Sequence, residues 1–202
     1  MMASQTPARA LYPHMLASLL KAWPWSMAVL AGSLQIQAVD GTRLRPLEPA
    51  GMANVLLFVA TDCPISNSYA PEIQRICSAY AASGIGCALI YEDAGVTASA
   101  VRKHLDDYRY RGIPAAIDRD GALAFRVRAS ITPEAVVVDR HGTIRYHGRI
   151  DDFYAALGRP RQVVTAHDLQ DALAAIAAGQ PVPRSETEAV GCYIVPAELR
   201  RK

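Results

Sequence analysis

The feature that most constrains the fold is an apolar run that leads directly into a helical pattern. Residues 54–61, NVLLFVAT, read as a strand that is buried on both faces. From residue 64 to about residue 82, large apolar side chains recur at steps of four, four, three and four residues, which places them on one face of a helix: Ile65, Tyr69, Ile73, Ile76 and Tyr80. The stretch therefore predicts one strand and one helix joined by a turn at residues 61–64.

The remaining elements continue this alternation of strands and helices. SLQIQAVDGTRLRPL predicts a hairpin, GIGCALIY a second buried strand, TASAVRKHLDDYRY a helix, and IPAAID a short strand. ALAFRVRAS is predicted to be a helical or irregular connection, EAVVVDRHGTIRYHGRI a hairpin, and AHDLQDALAAIAAG a final helix. This order predicts an α/β fold, with helices on both sides of a central mixed β-sheet, an amino-terminal β-hairpin and a carboxy-terminal tail.

Composition limits the number of domains and the class of partner. The chain has 202 residues, of which 51% are hydrophobic and 20% charged, and its net charge is +2. These values predict one globular domain, which we place at residues 32–180 with a tail at 181–202, and they give no indication of a nucleic-acid partner. No run approaches the roughly 18 apolar residues of a spanning helix, so no membrane span is predicted.

Residues 1–31 contain Arg9 and Lys21, no acidic residue, and the apolar stretch SMAVLA. This charge pattern is typical of a signal peptide, although Pro24 interrupts the apolar part, and a flexible tail stays an alternative. The location of the protein therefore stays open: it is periplasmic or secreted if the segment is cleaved, and cytoplasmic otherwise.

The four cysteines are too few for a disulfide scaffold, and none of their spacings is that of a zinc site. Cys87, in a buried strand, and Cys77, beside the helical stripe, are predicted to be packed thiols. Cys63 lies where the strand meets the helix, and unpaired N–H groups at a helix start favour a thiolate, so it is a candidate nucleophile. The alternative is a buried structural cysteine, since a nearby Asp62 carboxylate would oppose thiolate formation.

Cys192 lies in AVGCYIV, a short apolar stretch near the end of the tail. Such a tail can bring a second thiol to Cys63, so Cys192 is a candidate resolving cysteine; the alternative is a packed or free thiol. The five histidines are scattered and do not form a ligand set, so we predict no metal and no cofactor. Arg149 and Asp151 either form a structural ion pair or line the site.

Two motifs resemble a known group of proteins. VLLFVATDCPISNSYAPEIQRICSAY resembles the first strand and helix of thioredoxin-fold proteins, with Cys63 at the nucleophile position and Pro71 at the helix-kinking position. ITPEAVVVDRHGTIRYHGRID resembles the Thr-Pro loop, strand and hairpin of the alkyl hydroperoxide reductase and thiol-specific antioxidant group, the peroxiredoxin-like redoxins. The resemblance covers roughly residues 33–178. It implies a thioredoxin-like fold in which Thr132 and Pro133 form a cis-proline loop beside the nucleophile.

The chain departs from both patterns. Thioredoxins carry Cys-x-x-Cys, whereas this chain has CPIS, with Ser66 in place of the second cysteine. Ser66 either donates a hydrogen bond to the thiolate or satisfies the first helical turn. Peroxiredoxins place a hydroxyl residue three positions before the nucleophile, but Ala60 stands there and Thr61 is only two before. Thr61 is kept with Thr132 and Pro133 as a candidate substrate-binding residue.

We therefore expect a thiol-disulfide oxidoreductase that acts on a protein or small-molecule disulfide. Cys63 attacks, and Cys192 or an external thiol reductant resolves the mixed disulfide. The enzymatic alternative is a thiol peroxidase with an antioxidant role, in which a Cys63 sulfenic acid condenses with Cys192. The non-enzymatic alternative is a binding or accessory module that keeps the fold without the chemistry.

Overall fold

The structure, a computed structural model, describes residues 34–93 and 95–195. The predictions for residues 1–31 lie outside this part of the chain. The described strands, in chain order, are β1 Ile36–Gln37, β2 Arg43–Leu44, β3 Ala53–Val59, β4 Ile85–Tyr91, β5 Ala115–Ile117, β6 Ile131–Thr132, β7 Glu134–Asp139, β8 Ile144–Gly148, β9 Tyr154–Ala156, β10 Arg159–Pro160 and β11 Cys192–Tyr193. The described helices are α1 Pro64–Ser68, α2 Ala70–Tyr80, α3 Ala98–Asp107, α4 Ala122–Val127 and α5 Asp168–Ala177.

The central sheet has five strands in the order β5-β4-β3-β7-β8. β3 and β4 are parallel, as are β4 and β5, while β7 runs antiparallel to both β3 and β8. The predicted mixed sheet and α/β class are confirmed. Three short antiparallel pairs lie outside the sheet, namely β1 with β2, β9 with β10, and β6 with β11. The first is the predicted hairpin, and the sequence did not predict the other two.

β3, the middle strand, is buried on both faces, as its continuous apolar run predicts. Leu57 and Val59 point to one face, where they pack with side chains of α2, α3 and α5. Leu56 and Phe58 point to the other, where α4 and the β1–β2 hairpin cover them. Successive side chains of β3 point to opposite faces of the sheet and are apolar on both. Helices therefore pack on both faces. None of the described helices is both long and apolar enough to cross a membrane.

The helix predicted over residues 64–82 is broken into α1 and α2 at Tyr69. Pro71 lies in the first turn of α2 and has no N–H to donate to the carbonyl of Asn67, so a continuous helix would lose a hydrogen bond there. The backbone N–H of Tyr69 instead contacts the carbonyls of Asn67 and Ser66. The break separates the turn that carries Cys63 from the longer packing helix.

Cys77 and Cys87 form a disulfide, so the prediction of two packed thiols is wrong. Cys77 lies on α2 and Cys87 on β4, with their Cα atoms 5.9 Å apart, a separation that a disulfide spans. Each cysteine alone reads as an apolar core position. Only the return of the chain through the tight turn at Gly84, whose φ is +73°, brings the two together.

Candidate active site

Cys63 occupies the residue before α1 and is held from two sides. The backbone N–H of Ser66 donates to the Cys63 Sγ at 3.4 Å, and the Sγ donates to the carbonyl of Thr132 at 3.2 Å. The side chain is buried, with 1% of its surface exposed. The strand-to-helix turn thus directs one backbone N–H at the sulfur, as the sequence predicts for a cysteine at a helix start.

Thr132 and Pro133 lie in the loop that faces Cys63. Both are buried, and the peptide bond between them is cis, as the resemblance implies. The carbonyl that accepts the Cys63 thiol belongs to Thr132, the last residue of β6. These two residues of the predicted set therefore lie at the site.

The tail brings Cys192 to the same place. β11 runs antiparallel to β6, with Cys192 opposite Thr132 and Tyr193 opposite Ile131. The pair is extended by the N–H of Ile194, which donates to the carbonyl of Ser130 at 2.8 Å. As a result the Cys192 and Cys63 side chains lie close enough to interact, and both thiols are free. Two candidate catalytic residues that are distant in the sequence are thus neighbours in the fold.

Two glycines allow the tail to lie this close. A Cβ at Gly191 would overlap the carbonyl of Thr132, and a Cβ at Gly148 would overlap the backbone of Thr187. Thr187 is further held by its N–H, which donates to the carbonyl of His147 at 3.0 Å, and by its hydroxyl, which accepts from the N–H of Arg149 at 3.1 Å. The tail is therefore fixed at Thr187 before it reaches Cys192.

Burial raises the pKa of the Cys192 thiol to about 11, and the Cys63 thiol and the charge of Asp62 add to the effect. At neutral pH Cys192 is therefore protonated and weakly nucleophilic while Cys63 is a free thiol. When Cys63 is part of a disulfide, its thiol no longer raises the pKa of Cys192. The Cys192 thiolate is then easier to form.

Ser66 and Thr61 contribute through atoms other than those predicted. The contact between Ser66 and sulfur comes from the backbone N–H, whereas the Ser66 hydroxyl oxygen accepts from the N–H of Ala60 at 3.4 Å. Thr61 offers its carbonyl, which accepts from the Asn67 side-chain amide at 3.1 Å. Both residues shape the turn around Cys63, and their predicted direct roles stay predictions.

His104, which the sequence analysis did not assign to the site, supports this turn from α3. Its Nε2 lies 2.8 Å from the Asn67 Oδ1, and its Nδ1 lies 2.8 Å from the Tyr91 hydroxyl. Because the Asn67 amide nitrogen donates to Thr61, its oxygen must accept from His104 Nε2–H, which leaves Nδ1 to accept from Tyr91. Each group in this chain of hydrogen bonds therefore has one defined role as donor or acceptor. Burial of His104 lowers its pKa, so the imidazole is neutral at neutral pH.

A cleft of about 470 Å³ opens beside Cys192 and Thr132. Its lining includes Cys192 and the residues that follow it, together with Asp62, Glu92 and Asp93. Glu92 is 4% exposed, whereas Asp62 and Asp93 are exposed. The cleft thus borders the candidate site, and Asp62 and Asp93 give it an acidic rim.

Arg149 and Asp151 do neither of the things the sequence left open. The Arg149 guanidinium pairs with Asp168 at 2.7 Å, and Asp151 accepts from the Tyr69 hydroxyl at 2.6 Å. Asp151 also comes near Glu72 and His167, whose ligand atoms all lie within 4.8 Å of one another. Arg75 already pairs with Glu72, and Asp151 is buried and accepts from the Tyr69 hydroxyl and the Phe153 N–H, so two of the three groups have protein partners.

No protein-family profile and no curated protein sequence matches the chain. Among solved structures, an uncharacterised conserved protein from Geobacillus kaustophilus is similar at 24% identity and a TM-score of 0.70, over 80% of this chain and 88% of that one. A hypothetical protein from Sinorhizobium meliloti is similar at 24% identity and a TM-score of 0.68, over 80% of this chain and 89% of that one.

A third similar structure is described as a secreted Mycobacterium tuberculosis disulfide oxidoreductase homologous to Escherichia coli DsbE. The identity is 18% and the TM-score 0.51, over 73% of this chain and 96% of that one. At these identities the likeness concerns the fold. Together with the mixed sheet, the cis-proline loop and the cysteine before α1, it shows that the chain has a thioredoxin-like fold.

Proposed function

We propose that the protein is a thiol-disulfide oxidoreductase in which Cys63 is the nucleophile and Cys192 the resolving cysteine. The observation that carries the proposal is the contact between the two free thiols, which the β6–β11 pair establishes. The third similar structure, described as a disulfide oxidoreductase, adds support at the level of the fold. The Thr-Pro motif suggests the peroxiredoxin-like subgroup, and we keep membership of that subgroup as an alternative proposal.

The reaction proceeds in two exchanges. The Cys63 thiolate attacks one sulfur of a substrate disulfide, a mixed disulfide forms, and the other substrate sulfur leaves as a thiolate that takes up a proton. The Cys192 thiolate then attacks the Cys63 sulfur, forms the Cys63–Cys192 disulfide and releases the second substrate thiol. In total, one substrate disulfide is reduced to two thiols and the Cys63–Cys192 pair is oxidised. An external thiol reductant returns the pair to its free form.

The test identifies products by peptide mapping after reaction with 2-hydroxyethyl disulfide. We expect the wild-type protein to end with a Cys63–Cys192 disulfide, and Cys192→Ser to stop at a mixed disulfide on Cys63. Cys63→Ser is the matched control, because it keeps Cys192 and the tail. Modification of Cys192 alone in the wild type, or failure of Cys63 to react over the full course, would contradict the proposal and leave the binding module.

A thiol peroxidase is the second candidate, because the same contact would let a Cys63 sulfenic acid condense with Cys192 and release water. In that reaction the Cys63 thiolate attacks one oxygen of hydrogen peroxide, the O–O bond breaks, and Cys63 becomes a sulfenic acid while the other oxygen leaves as hydroxide and takes up a proton to form water. Oxidation by peroxide orders of magnitude faster than that of a free thiol, ending in the same Cys63–Cys192 disulfide, would favour the peroxidase over the disulfide reductase.

We also propose that the protein works in an oxidising compartment. The Cys77–Cys87 disulfide carries this proposal, because structural disulfides persist mainly outside the reducing cytosol. Trapping thiols in intact cells with an alkylating reagent before lysis tests it. Cys77 and Cys87 should be recovered unalkylated, and recovery of both as alkylated thiols would contradict the proposal.

A further inference from the structure

The tail occupies the edge beside which Cys63 lies. Cys192 is paired with Thr132, whose carbonyl accepts the Cys63 thiol, and the Thr132 hydroxyl donates to the carbonyl of Cys192 at 3.4 Å. The N–H of Ile194 donates to the carbonyl of Ser130 on the same edge. One strand of the chain's own tail therefore covers the β6 edge and places Cys192 beside Cys63.

This cover leaves the nucleophile out of reach. Only 1% of Cys63 is exposed, whereas Cys192 is half-buried and lines the cleft. A disulfide must approach the attacking sulfur along the line of the bond that breaks, and that approach to Cys63 is closed while Cys192 contacts it. In this arrangement Cys192 is placed for the second exchange, in which it bonds to Cys63. A substrate disulfide, however, has no path to Cys63 for the first exchange.

The tail is built to open without the rest of the fold. It is fixed at Thr187 by bonds to His147 and Arg149. Beyond that point residues 188–190 lie in no strand or helix, and β11 itself has two residues. Tyr193 is 82% exposed and Val195 50%, and the apolar side chains that hold this end against the core are only partly buried, namely Val190, Cys192 and Ile194. Local opening has a low cost where few buried contacts are lost.

We propose that residues 188–195, the tail strand, must leave the β6 edge before Cys63 can attack any substrate disulfide, and that Thr187 is the fixed point about which they open. The inference rests on the proposed function. Opening exposes the Cys63 sulfur and frees the edge, so a small disulfide and an extended peptide disulfide share the same first step. Closure then returns Cys192 to Cys63 for resolution.

Variants that weaken the strand pair but keep the tail provide the test. Gly191→Ala places a Cβ against the Thr132 carbonyl, and Ile194→Pro removes the N–H that bonds Ser130. Gly86→Ala is the matched control, because Gly86 lies on β4, where a Cβ would meet only the Asn54 side chain. All are made together with Cys192→Ser, so that only the first exchange is measured.

The probes are 2-hydroxyethyl disulfide and a short peptide whose single cysteine carries 2-mercaptoethanol as a mixed disulfide. We expect Gly191→Ala and Ile194→Pro to speed mixed-disulfide formation on Cys63 about tenfold or more, by the same factor for both probes, because opening is a shared step. Gly86→Ala should leave both rates unchanged. Thermal unfolding of each variant confirms that the core is folded.

The outcomes separate the two proposals. If both tail variants react at unchanged rates and Cys63 still forms the mixed disulfide, the proposal that the tail strand must open is overturned. The proposed function then still stands. A faster rate for the peptide alone would also overturn the proposed opening of the tail strand, since the small disulfide would then reach Cys63 without tail opening. If no variant forms a mixed disulfide on Cys63, both the proposed function and the proposed opening of the tail strand are overturned.

Discussion

Cys192 lies directly opposite Thr132, and Thr132 is the residue whose carbonyl accepts the Cys63 thiol. A single residue of the cis-proline loop therefore holds the nucleophile on one side and the strand that carries the second thiol on the other. β11 thus places Cys192 beside a helix start that carries Ser66 in place of the second cysteine of Cys-x-x-Cys.

The raised pKa of Cys192 predicts how its alkylation depends on pH. Burial and the neighbouring Cys63 thiol raise the pKa to about 11, so the thiolate fraction at Cys192 should grow about tenfold for each pH unit up to about pH 10. An ordinary cysteine is half ionised at about pH 8.5 and levels off about one pH unit higher. Mass spectrometry of iodoacetamide-treated protein measures this, and a midpoint near about pH 8.5 would contradict it. Cys63→Ser should move the curve towards lower pH.

The Cys77–Cys87 disulfide is expected to stabilise the fold without taking part in the reaction. It closes a loop with a sequence separation of 10, for which restriction of the unfolded chain predicts about 2.5–3 kcal/mol. Replacing both cysteines with alanine should lower the free energy of unfolding by about that amount in urea titrations. Cys192→Ser is the control and should stay near wild type. Loss of the Cys63–Cys192 product in the alanine variant would refute a purely structural role.

Replacing His104 should loosen the turn that carries Cys63. In His104→Phe, the buried Tyr91 hydroxyl and the Asn67 oxygen lose their partner, which costs about 1–3 kcal/mol for each unsatisfied group. Urea unfolding measures the loss of stability, and the rate of Cys63 modification measures the effect on the site. His141→Phe in the exposed turn between β7 and β8 serves as the control. Equal stability of the two variants would argue against the His104 bond chain.

The same histidine predicts a dependence of stability on pH. Burial lowers the pKa of His104 in the folded state, so the unfolded chain binds the proton more readily. Its contribution to stability is present above the unfolded pKa of about 6.5 and is lost as the pH falls below that value, by at most about 1.4 kcal/mol per pH unit. Unfolding titrations between about pH 7 and 5 should show less loss in His104→Phe than in wild type. An equal loss would assign the pH dependence to other groups.

The acidic lining of the cleft predicts a preference among small disulfides. Asp62 and Asp93 are exposed on the lining of the cleft that includes Cys192, so a cationic disulfide such as cystamine should oxidise the protein faster than anionic dithiodipropionate. The difference should shrink with added salt, since exposed charges are screened. Asp62→Asn should reduce the ratio of the two rates, and Asp120→Asn, which removes an equal charge outside the cleft lining, should not. Equal rates for both disulfides at low salt would contradict the prediction.

Much of the fold follows from local pattern. The apolar run of β3, the helical stripe that follows and the turn residues of the hairpins each act over a few neighbouring residues, so periodicity and turn chemistry predict them. The strand-to-helix position of Cys63 is local too, because the N–H that reaches its sulfur comes from Ser66, three residues on. The break between α1 and α2 at Tyr69 follows from the missing N–H of Pro71.

The site as a whole depends on contacts that no local pattern records. The sequence determined the strands of the central sheet, the place of Cys63 at a helix start and a tail that carries Cys192. Only the tertiary structure decided that β11 pairs with β6, that Cys77 bonds to Cys87, and that His104 supports the turn through Asn67. Each of these contacts joins residues on different elements. The distances between those residues depend on strand register and helix placement, which are set only when the core packs.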